Sequence, residues 1–262
     1  MSVLPKIAWE RHGAGVPLIL IHGLGYARWG WEPVLPGLAE RFEVIVFDNR
    51  GIGASDAPAG PYTVPQLATD TVRVLDEAGV ERAHVVGTSL GGMVAQELAL
   101  SHPDRVDRLV LACTTPGGPR AHPMPDATVS LMVEAATLEP EIALRRFVEN
   151  ALAPGTASRR PELVERILTY RLATRQAPAA WAAQAGAAMT FDAHDRLPGL
   201  AAPTLVQHGT ADVVVDPRNA DLLVELLPHA QLERFPGAGH LYFWEEPARF
   251  VASVSSFLAE AS

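Results

Sequence analysis

Three polar residues of this chain, Ser89, Asp212 and His240, each follow a segment that is predicted to form a strand. A serine hydroxyl needs a base to attack a carbonyl carbon at neutral pH, and a histidine base needs an acid that fixes its tautomer and stabilises the imidazolium ion. The carboxyl ends of parallel strands meet at one edge of a sheet. The sequence therefore predicts nucleophilic catalysis by Ser89, with His240 as the base and Asp212 as the acid.

The candidate nucleophile stands in the segment Gly87-Thr88-Ser89-Leu90-Gly91, which has the pattern G-x-S-x-G. An apolar run precedes it and a helix-like pattern follows it, which predicts a sharp turn from a strand to a helix that lifts Ser89 off the sheet. The glycines are needed because a Cβ atom at either position would collide with the neighbouring strand and helix. The alternative, a turn whose serine only caps the next helix, fits this context less well.

The candidate acid lies in the loop Gly209 to Asp212, and the candidate base lies in the loop Gly237 to His240, after the next strand. Asp216 competes with Asp212 for the role of the acid. Because it directly precedes Pro217, Asp216 is better explained as the N-cap of the following helix.

Two further histidines, His22 and His208, stand at the ends of apolar runs. A polar side chain at such a position is buried and needs a hydrogen-bond partner. Both are interpreted as structural histidines and not as the base.

A tetrahedral intermediate also needs donors for its oxyanion. The backbone N–H of Leu90 is one candidate, since it lies at the start of the predicted helix, where the macrodipole favours negative charge. The second candidate is the N–H of Leu24, in the loop His22-Gly23-Leu24-Gly25, whose glycines let the backbone approach a substrate closely.

The composition is that of an acidic globular protein: 262 residues, 48% of them hydrophobic and 19% charged, with a formal net charge of -9. Nucleic acids and anionic membranes are poor partners for such a chain because both attract clustered positive charge. Lys6 is the only lysine, which disfavours Schiff-base chemistry. Cys113 is the single cysteine and cannot form an internal disulfide bond. With no signal-peptide pattern and no apolar run near the roughly 20 residues that span a bilayer, a cytoplasmic location is expected.

Apolar runs that alternate with helix-like patterns predict a mainly parallel sheet with helices on both faces. One helix is predicted to begin at the T-x-x-Q capping box of Thr63 and Gln66 and to end at Gly79. Besides the run before Ser89, the predicted strands are Val3 to Trp9, at the edge of the sheet, and 16–21, 44–47, 109–113, 204–208 and 231–235.

The loop from Asp48 to Asp56 contains glycines but is a poor dinucleotide fingerprint, because Asp56 stands where G-x-G-x-x-G needs its last glycine. A nucleotide cofactor is therefore not expected.

The pattern changes between Pro116 and about Leu200, where only helical periodicity remains. Prolines at the first position of a helix favour four helices, near 126–137, 140–152, 161–175 and 178–190. We interpret residues 117–199 as a helical cap inserted into a core made of residues 1–116 and 200–262.

These segments together resemble the α/β-hydrolase family over nearly the whole chain. The His-Gly-Leu-Gly loop, Asp48-Asn49-Arg50-Gly51, the segment around Ser89 and the loops that carry Asp212 and His240 stand in the family's order and spacing. The resemblance implies a central sheet of about eight strands, a helical cap over the site, and no cofactor or metal. Within the family the chain is most similar to small serine esterases and enol-lactone hydrolases.

Relatives of other chemistry fit less well. Haloalkane dehalogenases and epoxide hydrolases carry aspartate at the position of Ser89. Carbon–carbon bond hydrolases usually have tryptophan where this chain has Leu241, and cofactor-free haloperoxidases commonly have methionine where it has Leu90.

The sequence thus predicts a serine esterase that cleaves carboxylic esters of small to medium, largely apolar molecules through an acyl-enzyme. Lactone hydrolysis is the main alternative, because it uses the same machinery. A carbon–carbon bond hydrolase, a perhydrolase and a non-catalytic ligand receptor are less favoured. The acyl group, the alcohol and the oligomeric state stay open.

Apolar side chains stand close to the predicted site in the sequence. Most of them are expected to pack the cap against the core rather than to contact a substrate. They are Tyr26, Trp29, Trp31, Met124, Met132, Met189, Phe191, Tyr242, Phe243 and Trp244.

Overall fold

The computed structural model describes residues 4–135, 137–174 and 176–259. In these ranges one sheet has seven strands, which are rich in the β-branched and aromatic residues that strands favour. The strands are β1 (Trp9–His12), β2 (Val16–Ile21), β3 (Phe42–Phe47), β4 (Ala83–Thr88), β5 (Val106–Ala112), β6 (Thr204–Gly209) and β7 (Ala230–Phe235).

The order of the strands across the sheet is β1-β3-β2-β4-β5-β6-β7. Only β1 is antiparallel to its neighbour, and the other pairs are parallel. From β2 the chain continues to β3 on one side of the sheet and then crosses to β4 on the other side of β2. Ligands of open α/β sheets bind at such a reversal of strand order, outside the carboxyl ends of the strands. Ile21 pairs with Gly87 at this point, which brings the loop after β2 next to the turn after β4.

The sheet differs from the expectation at its N-terminal edge. The resemblance implied about eight strands, and the described residues have seven. The predicted edge strand from Val3 to Trp9 is wrong in its bounds, since the strand begins at Trp9 and Val3 lies outside the described residues. The backbone carbonyl groups of Lys6 and Ala8 accept hydrogen bonds from Asp56 and Asp48. These residues therefore bind the loop after β3 and do not enter a strand ladder.

Helices cover both faces of the sheet, and the alternation of side chains along each strand divides the core into two layers. In β2, Ile19 and Ile21 pack into one apolar cluster, and Leu18 and Leu20 pack into the other. Because every strand from β2 to β5 is apolar on both faces, it is stable only when both faces are covered.

The described helices are α1 (Leu35–Ala39), α2 (Val64–Glu77), α3 (Leu90–Ser101), α4 (Asp126–Ala135), α5 (Pro140–Ala151), α6 (Thr156–Arg159), α7 (Pro161–Ala173), α8 (Pro178–Met189), α9 (Arg218–Leu226), α10 (Tyr242–Glu245) and α11 (Pro247–Leu258). The capping box at the start of α2 is confirmed. Gln66 N–H donates to Thr63 Oγ1 at 3.3 Å, and Thr63 N–H donates to Gln66 Oε1 at 3.0 Å. None of these helices is long and apolar enough to cross a membrane.

The described part of the segment between β5 and β6 contains five α-helices, α4 to α8, and no named strand. Four of them match the predicted helices to within a few residues, with Ala136 and Arg175 outside the described part of the chain. The short α6 was not predicted. The two ends of the segment meet, since Gly117 and Asp192 form an antiparallel bridge. The segment between β5 and β6 therefore begins and ends at one place.

Candidate active site

Ser89 lies in the turn between β4 and α3, with a φ of 54° and a ψ of -121°. A positive φ costs on the order of 1 to 3 kcal/mol for a residue with a Cβ atom and persists only where the surroundings hold it. Here the Ser89 N–H donates to the Ala112 carbonyl oxygen at 2.9 Å, and Thr114 Oγ1 donates to the Ser89 carbonyl oxygen at 2.7 Å. The end of β5 therefore fixes the strained turn.

The glycines on either side of Ser89 are sterically required. A Cβ atom on Gly87 would lie 2.3 Å from the carbonyl oxygen of Gly91, and one on Gly91 would lie 2.0 Å from the carbonyl oxygen of Ile21. The first clash is with α3 and the second is with the end of β2. The steric reason predicted for both glycines is confirmed.

The structure brings Asp212 and His240 together beyond the carboxyl ends of β6 and β7. The Nδ1–H of His240 donates to Oδ2 of Asp212 at 2.7 Å. The other oxygen, Oδ1, accepts the backbone N–H groups of Val214 at 2.7 Å and Val215 at 3.0 Å. The carboxylate is thus oriented by its own loop, and it fixes the tautomer of His240 that leaves Nε2 available as a base.

A second histidine contacts the same carboxylate. The Nε2–H of His208 lies 3.0 Å from Oδ2 of Asp212 and 3.1 Å from the carbonyl oxygen of Val215. Since both partners are acceptors, Nε2 carries a proton. The interpretation of His208 as a hydrogen-bonded residue is correct, but its contact with the candidate acid was not foreseen. Its position four residues before Asp212 was the available signal.

Burial and charge shift the pKa values of Asp212 and His240 in opposite directions. Burial alone would raise the pKa of Asp212, but the charge of His240 and the hydrogen bonds from the two histidines lower it well below its usual range. Burial alone would lower the pKa of His240, but the charge and hydrogen bond of Asp212 raise it well above its usual value. Asp212 is therefore ionised and stabilises an imidazolium ion at His240.

Cys113 also lies close to His240, and the sequence analysis assigned it no role at the site. It directly follows β5, has a φ of 43° and is fully buried. Cys113 lines the same cavity as Ser89 and His240.

Asp216, the competing acid, makes other contacts. Its Oδ1 accepts the backbone N–H of Arg218 at 2.9 Å, and its Oδ2 lies 2.6 Å from Nη2 of the same arginine. α9 begins at Arg218, one residue later than the predicted start at Pro217. Asp216 therefore accepts the first N–H of that helix, but the N-cap residue is Pro217, so the predicted N-cap is one residue off.

The loop after β2 lies directly against Ser89. A Cβ atom on Gly23 would be 2.9 Å from the Cβ atom of Ser89, so only glycine allows this approach. Gly23 N–H donates to Nδ1 of His22 at 2.8 Å, and burial lowers the pKa of His22 to about 3. The loop that carries the N–H of Leu24 is therefore held by a neutral histidine.

The N–H of Leu90 is the other predicted oxyanion donor. Leu90 is the first residue of α3, and the N–H groups of a first helical turn have no acceptor within the helix. Leu90 and Leu24 both line the same cavity as Ser89 and His240.

That cavity has a volume of about 1090 Å³ and lies between the carboxyl edge of the sheet and the inserted helices. The inserted segment contributes most of its apolar lining. Examples are Met132, Leu144, Phe147, Trp181 and Phe191. Such a cavity is large enough for a molecule of drug-like size.

The apolar residues that the sequence placed near the site separate into two groups. Tyr26, Met124, Met132, Met189, Phe191 and Phe243 line the cavity. Trp29, Trp31, Tyr242 and Trp244 are outside the lining, and the last three are almost completely buried. Packing explains the buried members of the second group, and it also holds Phe191 and Phe243 of the first group, which belong to the apolar clusters of the core. Contact of the lining residues with a substrate stays a prediction.

The polar side chains of the loop after β3 form hydrogen bonds with other parts of the protein. Asp48 accepts hydrogen bonds from the backbone N–H of Arg28 at 2.8 Å and of Ala54 at 2.9 Å, and Asn49 Nδ2 donates to the carbonyl oxygen of His22 at 2.9 Å. This loop thus supports the loop after β2. Within the described ranges, no group of three or more His, Cys, Asp or Glu side chains could hold a metal ion.

Comparison with known proteins gives a consistent result. The profile of the α/β-hydrolase fold matches residues 16–247. A pimeloyl-(acyl-carrier protein) methyl ester esterase of Aeromonas hydrophila is 31% identical over 97% of this chain and 99% of its own. A 2-hydroxymuconate semialdehyde hydrolase of Pseudomonas sp. strain CF600 is 34% identical over 95% of this chain and 89% of its own.

The chain therefore belongs to the α/β-hydrolase family. Among solved structures, the enol-lactonase of Burkholderia xenovorans LB400 is similar, with a TM-score of 0.87, 26% identity, and coverage of 98% of this chain and 97% of the other. These relatives are named as an esterase, a semialdehyde hydrolase and a lactonase, so the family identifies a hydrolase and leaves the substrate to be argued from the site.

Proposed function

We propose that this protein is a serine hydrolase that cleaves carboxylic esters of small to medium, largely apolar molecules. The observation that carries the proposal is that Ser89, in its strained turn, and His240, paired with Asp212, line one cavity. Strained residues and paired buried charges in a cavity are typical of catalytic sites.

In the proposed reaction, Ser89 Oγ attacks the ester carbonyl carbon while Nε2 of His240 takes the hydroxyl proton. Asp212 stabilises the imidazolium ion, and the N–H groups of Leu24 and Leu90 hold the oxyanion. The intermediate then collapses, and the alcohol leaves with the proton from His240. Water, activated by the same base, hydrolyses the acyl-enzyme and regenerates Ser89.

We further propose that residues 117–199 form a cap over the site and that residues 1–116 and 200–262 form the catalytic core. Two observations support this division. Both ends of the insertion meet at the bridge between Gly117 and Asp192, and α4, α5, α7 and α8 each contribute side chains to the lining.

Lactone hydrolysis is the second candidate, since ring opening needs the same nucleophile, base and oxyanion donors. The similarity to the Burkholderia xenovorans enol-lactonase over 98% of this chain supports it. In that case the leaving alcohol stays attached to the acyl group.

The decisive experiment compares the purified protein with Ser89→Ala on p-nitrophenyl esters, simple lactones and an aryl carbamate. We expect ester turnover that depends on Ser89, together with labelling of Ser89 by a fluorophosphonate. Turnover of lactones alone would select the second candidate. Binding without turnover of any substrate would select a ligand receptor.

A further inference from the structure

Arg171, on α7, brings a positive charge into the cavity wall. Its Nη1–H donates to the carbonyl oxygen of Gly25 at 2.6 Å, and the central guanidinium carbon lies 4.9 Å from the centre of the Tyr26 ring. Gly25 has a φ of +76°, and a Cβ atom there would lie 2.6 Å from Nη1. The loop after β2 is therefore shaped to receive this guanidinium.

No described acidic side chain forms an ion pair with Arg171. The cavity lining contains one carboxylate, that of Asp216, which is already bound to Arg218. Tyr26 could compensate the charge only as a phenolate, and burial raises the pKa of Tyr26. The guanidinium thus faces the cavity as a cation without a counter-charge among the described residues.

Such an arrangement is costly for a protein. A partly buried guanidinium has lost much of its hydration, and the hydrogen bond to Gly25 satisfies only one of its five N–H donors. By contrast, Arg50, which is also largely buried, has a carboxylate partner in Asp70 at 2.5 Å. A ligand with an anionic group would supply the counter-charge for Arg171.

We propose that Arg171 binds a carboxylate of the substrate, so that the preferred substrates are half-esters or lactones of dicarboxylic or keto acids. This inference rests on the proposed ester hydrolysis. A planar carboxylate matches the two parallel N–H groups of a guanidinium.

The position of Arg171 also limits where the carboxylate stands. Gly25, which Arg171 contacts, directly follows Leu24, the predicted oxyanion donor, and consecutive Cα atoms are about 3.8 Å apart. The carboxylate is therefore separated from the scissile carbonyl by a short chain. Any apolar part of the substrate extends along Met132, Phe147 and Trp181, which line the cavity.

The test measures methyl ester hydrolysis in a pH-stat. Monomethyl succinate, glutarate and adipate are compared with methyl butanoate, pentanoate and hexanoate, which have similar lengths and no charge. Arg171→Gln removes the charge, and Arg171→Lys keeps it without the planar fork. Arg166→Gln is the matched control, since Arg166 also lies on α7, pairs with Glu32 and is outside the cavity lining.

For Arg171→Gln we expect kcat/KM on the half-esters to fall about tenfold or more beyond any fall on the neutral esters, mainly through KM, because the hydrogen bond to Gly25 is lost for both kinds of substrate. Arg171→Lys should recover part of the loss, and Arg166→Gln should match the wild type. An equal loss on charged and neutral esters would overturn the proposal in favour of a structural role. A wild-type preference for the neutral esters would overturn it as well.

A separate measurement distinguishes failure of this inference from failure of the proposed function. Glutarate binding is measured by calorimetry on the wild type and on Arg171→Gln, with no turnover required. If the protein hydrolyses no ester but binds glutarate through Arg171, the anion subsite stands and the ester hydrolase does not. If glutarate does not bind and the half-esters are not preferred, the subsite is refuted.

Discussion

At the scale of single residues, the site combines one strained serine with one carboxylate that receives four hydrogen bonds. Ser89 has a positive φ, and Asp212 is bound by two backbone N–H groups and two imidazole rings. Such a network fixes side chains in the geometry that a reaction needs before the substrate binds. Substitutions that keep the shape and remove one bond are therefore informative.

Ser89→Ala tests the nucleophile. We expect ester hydrolysis to fall by roughly 10³-fold or more, because only oxyanion stabilisation and binding remain when one member of a catalytic triad is lost. The melting temperature should not fall, since the hydrogen bonds of the described residues that hold the turn use the backbone of Ser89 and not its hydroxyl. Steady-state kinetics and thermal unfolding measure both. A folded Ser89→Ala protein with wild-type activity would remove Ser89 from the mechanism.

Asp212→Asn and Asp216→Asn form a matched pair that tests the acid. The first should lower kcat by roughly 10³- to 10⁴-fold, because an amide cannot fix the productive tautomer of His240. The second should cost little, since asparagine caps a helix about as well as aspartate. Comparison of kcat for the two variants is the measurement. The opposite ranking would reassign the acid to Asp216.

His208 is expected to act through Asp212 and to be visible in the pH profile. The base must be neutral, so kcat/KM rises with pH through the pKa of His240, which Asp212 holds above its usual value. His208→Phe removes a hydrogen-bond donor to Asp212, so the negative charge of Asp212 is less compensated and raises the pKa of His240 further. The acidic limb should therefore move to higher pH, with about a tenfold loss in kcat. His208→Gln keeps a donor and should stay close to the wild type. Identical profiles for all three proteins would make His208 a packing residue only.

At the scale of elements, the helices between β5 and β6 carry most of the apolar lining, whereas the loops of the sheet carry the candidate catalytic groups. Gly23 and Ser89 come from loops after β2 and β4, and Asp212 and His240 come from loops after β6 and β7. Their geometry leaves these loops little freedom to vary. Specificity is therefore expected to depend on α4 to α8.

Met132→Ala and Val133→Ala compare two neighbours on α4. Met132 lines the cavity, whereas Val133 is 72% exposed and outside the lining. A lost apolar contact with the substrate is worth about 1 to 3 kcal/mol, so Met132→Ala should change the ratio of kcat/KM for long and short acyl esters by roughly tenfold. Val133→Ala should leave the ratio unchanged. If both ratios stayed at the wild-type value, α4 would have no part in substrate selection.

At the scale of the whole molecule, one side chain joins the insertion to the loop of the candidate base. Oε1 of Glu245 accepts hydrogen bonds from Ala153 N–H at 2.9 Å and Thr156 Oγ1 at 2.8 Å. Its Oε2 accepts Gly239 N–H at 2.7 Å. The residue before His240 and the start of α6 therefore share one carboxylate.

Glu245→Ala should weaken this connection. Three donors lose their acceptor, so the free energy of unfolding should fall by about 2 to 4 kcal/mol, and kcat should fall as the loop of His240 loosens. Glu246→Ala is the control, since among the described residues the carboxylate of Glu246 pairs only with Arg249, at 3.5 Å. Urea unfolding and ester kinetics provide the two readouts. Equal stability of the two variants would show that the connection is dispensable.

The sequence by itself determined the class of fold and the most local part of the site. The strand-turn-helix pattern around Ser89 and the capping box at Thr63 are encoded within a few residues, because turn geometry and helix capping depend on near neighbours. The order of the loops that carry Asp212 and His240 followed from the alternation of strands and helices. Their catalytic roles stay predictions.

Only the tertiary structure decided which side chains meet across long stretches of chain. Arg171 contacts the carbonyl oxygen of Gly25 from 146 positions away, and Cys113 lies beside His240 although neither has a local pattern that links it to the other. The backbone N–H groups of Lys6 and Ala8 donate to the side chains of Asp56 and Ser55, in the loop after β3. The alternation of side chains that predicts a strand contains no information about such partners. Periodicity reports the face that a residue buries, whereas the partner on that face depends on how the elements pack.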